Sequence, residues 1–209
     1  MEEPRRSPRG LGLAWVLAVY ATLLTAIVAL RMSDVSSVRT VLYFDLGVLA
    51  AGLVLFVAFW EELGPLLALP RWGGWRVPTL AIAVMLALYG VLRALAAASP
   101  EAFTNLTASY RDEGESLAMA LFQIGPLTAL GEELLFRGVL LQGVRSAISD
   151  GGAIGLSALM FAATHLSLGS LPHVLALGVL FAWLVVRTGS LWPGIVLHTT
   201  WNVVMALME

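Results

Sequence analysis

The sequence predicts an all-α fold, a polytopic bundle of about seven transmembrane helices (six to eight), on three observations. Of its 209 residues, 59% are hydrophobic and only 12% charged, too apolar a balance for an ordinary soluble domain of this size. Runs of about 20 apolar residues, the length that crosses a bilayer as a helix, recur from end to end with short polar breaks between them. Arg5, Arg6, Arg9, Arg71, Arg76, Arg145 and Arg187 fall on one side of such a bundle, as arginines do in the cytoplasmic loops of membrane proteins.

Taken in order, residues 1–10 form a cytoplasmic N-terminal segment carrying Arg5, Arg6 and Arg9. The run that follows resembles a secretory signal, but no small-residue cleavage site succeeds it, so it reads as a retained first span. The spans fall at 11–30, 41–60, 78–97, 116–137, 153–166, 173–187 and 190–207, giving one transmembrane domain over 11–207. The fifth and sixth are short for full crossings. Gly138 to Asp150 mixes Gln142 and Arg145 into an apolar pattern, so it either continues the fourth helix or lies at the interface. With the N-terminus inside, Arg71, Arg76, Arg145 and Arg187 fall on the cytoplasmic side. The acidic break with Glu101, Asp112, Glu113 and Glu115 lies outside, as does the C-terminus. Trp60, Trp72 and Trp75 mark one membrane boundary. Short loops favour a bacterial cell membrane. The absence of cysteine excludes disulfides, thiolate metal sites and a cysteine nucleophile.

An ionisable side chain within a span costs roughly 2.5–3.5 kcal/mol on insertion scales, so each one marks a candidate site. The fourth span holds three: Glu132, Glu133 and Arg137. Glu133 and Arg137, four apart with the acid first, share a helix face and can neutralise each other. Glu132 is rotated by about 100° and needs a different partner. Later spans supply Phe161 with His165, and His198 with Asn202, each pair one turn apart. Packing of the fourth, fifth and seventh helices would bring Glu132, His165, His198 and Asn202 to one polar cavity. The Glu61–Glu62 doublet has Leu66 where Arg137 would stand, and reads as a helix end. His173, just after Pro172, reads as interfacial. Asp45 has no spaced partner and reads as structural. The triplet Asn105-Leu106-Thr107 matches a glycosylation acceptor, a pattern that often arises by chance. Gly90, Gly131 and Gly138 fit close helix approach.

At these positions the chain resembles the CPBP family of CAAX-prenyl-endopeptidase-like intramembrane proteases. Three family motifs stand in order on separate helices: EExxxR at Glu132 to Arg137, FxxxH at Phe161 to His165, and HxxxN at His198 to Asn202. The likeness covers roughly 115–207. It implies an intramembrane endopeptidase of the glutamic type that cleaves a membrane-associated or lipidated protein near the cytoplasmic side. Peptide hydrolysis needs a base for water and donors for the oxyanion. Glu132 fits the base, and His165 would hold or relay for the same water. The resemblance assigns those roles to the matching residues and gives His198 and Asn202 the oxyanion contacts. Glu133, Arg137 and Phe161 are supporting structure.

No cofactor is favoured. Zinc is the open alternative, because Glu132, His165 and His198 would also make a three-ligand catalytic set with a fourth position for water. The expected partners are the lipid bilayer and a membrane-associated protein or peptide substrate, with no nucleic acid. Competing readings are an ion- or proton-coupled transporter, against which the lack of an internal repeat counts, and a non-catalytic immunity or scaffold protein.

Overall fold

The structure, a computed structural model, describes residues 11–33, 37–98 and 106–208. The N-terminal segment and Asn105 lie outside these. The described residues are helical, with no strand among them. Helices α1 (Leu13–Arg31), α2 (Ser37–Ala58), the single turn α3 (Trp60–Leu63), α4 (Arg76–Ala98) and the short α5 (Leu106–Asp112) come first. An unbroken helix over residues 117–145, here α6, is followed by α7 (Asp150–Thr164), α8 (Leu171–Thr188) and α9 (Trp192–Met208).

Among the described residues, four helices, at Leu13–Arg31, Val38–Ala58, Arg76–Ala98 and Leu171–Thr188, are long and apolar enough to cross a bilayer. The chain is therefore an integral membrane protein with several crossings. The remaining three long helices differ from these for physical reasons. Helix α6 carries Glu132, Glu133 and Arg137. Helices α7 and α9, at 15 and 17 residues, are shorter than the 18-residue α8, the shortest of the four, and span about 22 and 25 Å at 1.5 Å per residue. Residues 138–145 continue α6. Glu61 and Glu62 sit in the single turn just after α2 ends, as a helix-end doublet should.

Peripheral and central helices separate by burial. Only 11% of the apolar stretch of α1 and 17% of that of α4 are buried, against 50% for α8. The outward faces of α1, α2 and α4 present large side chains such as Trp15, Val54 and Leu86, which in a bilayer meet lipid at no hydrophobic cost. The centre is built from α2 and α6 to α9.

Helices α2 and α6 run parallel with their backbones nearly touching. A Cβ on Gly131 would lie 3.1 Å from the Leu49 nitrogen, and Phe56 covers Gly138 one register step further on. Small residues serve this purpose in membrane bundles because close approach, rather than water exclusion, supplies the attraction. Gly90, expected to do likewise, has no atom within 4 Å of a built Cβ and faces open space. Its place on peripheral α4 explains why it packs against nothing.

The turn into α7 is fixed by charge. The Arg145 guanidinium at the end of α6 grips Asp150 at 2.9 Å, each charge compensating the helix end it occupies. At the far end of α8, left-handed Gly189 (φ 68°) stops the helix. The Trp192 indole and the Ser190 hydroxyl then anchor the start of α9 to the carbonyls of Leu67 and Ala68.

Candidate active site

Helix α6 is not a regular α-helix. It widens into π-helical turns at Gln123–Leu127 and Glu133–Leu140. Pro126 lies in the first and lacks the N–H that an α-helix would use. Such widened turns are often found at functional sites. The second begins at Glu133.

Glu132, just before the wide turn, and Glu133, which begins it, both meet one imidazole from α9. His198 Nδ1 lies 3.0 Å from Glu133 Oε1, and its Nε2 lies 3.6 Å from Glu132 Oε2. Helical rotation predicts separate partners for the two acids, and the structure shows a shared one contacted at different nitrogens. Arg137 Nη1 completes the group at 3.1 Å from Glu133 Oε1. Its geometry is that of charges in contact rather than of an aligned hydrogen bond. Glu133 and Arg137 are fully buried, and Glu132 and His198 are 5% and 4% exposed. Charges so placed persist only when paired.

Aromatic rings hold the group in place. The Arg137 guanidinium lies 4.2 Å from the Phe161 ring centre, a distance at which a cation is attracted to a ring face. Phe181 stacks on His198 at 5.0 Å with 25° between the planes. Phe161 presents an edge-to-face contact to both His165 (5.1 Å) and His198 (5.9 Å), so the two imidazoles flank one ring. The Arg137 side chain also reaches the Gly178 carbonyl at 3.5 Å.

His165 and Asn202 stand nearby but are not bonded to this group. His165 caps the end of α7, its Nδ1 3.2 Å from the Phe161 carbonyl. A carbonyl only accepts, so the proton of that contact sits on Nδ1, and a neutral ring keeps Nε2 as an acceptor. Leu166, directly after it, is left-handed (φ 49°), which costs a non-glycine residue roughly 1–2 kcal/mol and ends the helix there. Asn202 Nδ2 donates to the Ile124 carbonyl at 2.9 Å, within the first π turn. Its amide retains a second N–H.

Gly194 explains how Glu133 fits. A Cβ there would lie 2.7 Å from Glu133 Oε2, closer than packed atoms come. Gly194→Ala therefore displaces the carboxylate that orients both His198 and Arg137. A misplacement of about 1 Å costs roughly 10²-fold in rate, and that loss in turnover is expected, while Gly90→Ala, facing open space, leaves turnover unchanged.

Sequence reasoning missed Phe181, Gly194 and the bond between Glu133 and His198. It read Asp45 as structural with no spaced partner; its Oδ2 lies 2.8 Å from the Thr128 hydroxyl on α6. No periodicity signals a contact 83 residues apart. Among the described residues, no three His, Cys, Asp or Glu side chains are grouped to hold a metal ion. Glu132 and His198 adjoin, and His165 Nδ1 is directed to the Phe161 carbonyl.

An apolar helical bundle with a buried, paired Glu-Glu-Arg-His cluster defines the class: a membrane protein with an intramembrane polar site. Residues 114–204 match the family described as type II CAAX prenyl endopeptidase Rce1-like. Over this part, fewer than half of its residues, the chain is similar to that family, one of membrane-embedded proteases. No curated protein and no solved structure matches the chain.

Proposed function

We propose that the protein is a glutamic-type intramembrane endopeptidase that hydrolyses a peptide bond of a membrane-associated or lipidated protein. The observation carrying this reading is the juxtaposition of Glu132 with His198 inside an apolar bundle, at positions matching the family motifs. Glu132 takes a proton from water, whose oxygen attacks the scissile carbonyl carbon. His165 Nε2 holds that water. The oxyanion formed meets His198 and the second N–H of Asn202. Collapse then breaks the C–N bond, and the departing amine takes the proton held by Glu132. A positioned general base supplies about 10²–10⁴-fold and one oxyanion donor about 10²–10³-fold. Glu133, Arg137 and Phe161 hold His198 in place.

The same reading has seven crossings with the N-terminus in the cytoplasm, because Arg71, Arg76, Arg145 and Arg187 then share the cytoplasmic side. The short loops favour a bacterial cell membrane as its setting. Helices α7 and α9, shorter than α8, complete the bundle by packing on α6 and α8.

The test is cleavage of a membrane-peptide library by the purified protein in liposomes, with and without a strong zinc chelator. Cleavage is expected and is unchanged by the chelator. Chelator-sensitive cleavage overturns the metal-free mechanism, and absence of any cleavage overturns the protease reading.

A further inference from the structure

A second polar cluster lies at the opposite end of α6 from Arg145, and the chemistry above does not use it. A cavity of about 170 Å³ opens there between α2, α5 and the start of α6, lined in part by Leu42, Tyr110, Glu113, Met119 and Gln123. A cavity of that volume has room for several waters. Two of its lining residues are deeply buried yet have polar atoms without a direct hydrogen bond to the protein. They are the Tyr110 hydroxyl, in a residue 3% exposed, and the amide of Gln123, which is fully buried and faces the Asp45 carboxyl without a well-aligned hydrogen bond. Buried polar groups are almost always partnered by protein or by ordered water, so a polar cavity beside them is a place for water.

The cluster continues inward. Gln123 lies beside Asp45, which is 2% exposed on α2. The Thr128 hydroxyl is 2.8 Å from Asp45 Oδ2 and 2.8 Å from the Gln123 carbonyl. One hydroxyl proton serves only one of these acceptors at a time, so the other has capacity for a water. Thr128 stands one helical turn before Glu132, about 6 Å along the axis. Asp45 stands one turn before Leu49, whose backbone touches Gly131. Polar groups thus run from the cavity to within a turn of Glu132 through helices that are otherwise apolar.

We propose that Tyr110, Gln123, Asp45 and Thr128 line the path by which water reaches Glu132 from this cavity. The proposal rests on the hydrolase reading, since each peptide bond cleaved consumes one water in a site that is almost closed. Asp45 is a positioning residue on this path and does not touch the scissile bond.

The natural chain has no cysteine, so single cysteines report on water directly. The probe is a small, charged, membrane-impermeant methanethiosulfonate reagent applied to the purified protein, with Cys placed by Gln123→Cys, Met119→Cys at the cavity rim, or Phe122→Cys on the exposed apolar surface. The Gln123→Cys thiol is expected to react at least tenfold faster than the Phe122→Cys thiol, and its modification to slow cleavage. Asp45→Asn is expected to lower kcat severalfold with KM unchanged. An unreactive thiol at 123 when that at 119 reacts overturns the path. So does a modified Gln123→Cys protein that cleaves at its unmodified rate, or an unchanged kcat in Asp45→Asn. Reactivity is read without cleavage, so a protein that labels as expected but cleaves nothing overturns the hydrolase reading alone.

Discussion

Arg137→Leu is expected to lower stability by about 3–5 kcal/mol, the usual cost of leaving a buried charge without its partner. Among the described residues Arg137 is the largest fully buried side chain, and Glu133 beside it is also fully buried. Leucine fills much of the volume but leaves the Glu133 carboxylate facing only His198 in an apolar interior. It also removes the cation held over Phe161. The Glu133→Gln/Arg137→Leu double variant takes away both charges, and buried pairs replaced together often cost little. The double variant is thus expected to unfold at a higher temperature than Arg137→Leu alone, short of wild type because the contact with Phe161 stays lost. Thermal unfolding of the four proteins of this cycle in one detergent checks it. Costs that simply add would show that the two residues are not coupled.

The bundle was legible in the sequence because a bilayer imposes a length and a composition on anything that crosses it. The expected boundaries of the first three spans lie within a few residues of α1, α2 and α4. Number of crossings was less legible, since α7 and α9 are shorter than α8 and α6 is charged at its centre. Within the site, the Glu133–Arg137 pair followed from spacing on one helix. The meeting of both glutamates on His198 did not, because it joins residues 65 positions apart on two helices, which spacing along one helix does not reveal. Asp45 shows the same limit. An acid in a span announces itself by cost, but its partner Thr128 sits on another helix, and Gly131 brings that helix into contact only once the chain has folded. Gly194 was silent for a related reason: what matters there is room for the Glu133 carboxylate.

Glu132→Gln is expected to remove cleavage almost wholly. The amide keeps the shape of the side chain and its approach to His198, but it cannot take a proton from water, and loss of a positioned base costs about 10²–10⁴-fold. Stability changes little by comparison, because Glu132 takes no part in the pairing of Glu133 with Arg137. Glu133→Gln is expected to lose stability and part, but not all, of the rate. It breaks the contacts at 3.0 and 3.1 Å to His198 and Arg137 and leaves a buried guanidinium without its counter-charge, so the protein is less stable, yet the base remains. The deciding measurement compares cleavage of one membrane peptide by wild type, Glu132→Gln and Glu133→Gln at a temperature where all three are folded. Measurable turnover by Glu133→Gln with none by Glu132→Gln is the predicted result; turnover by Glu132→Gln comparable to wild type would contradict the account.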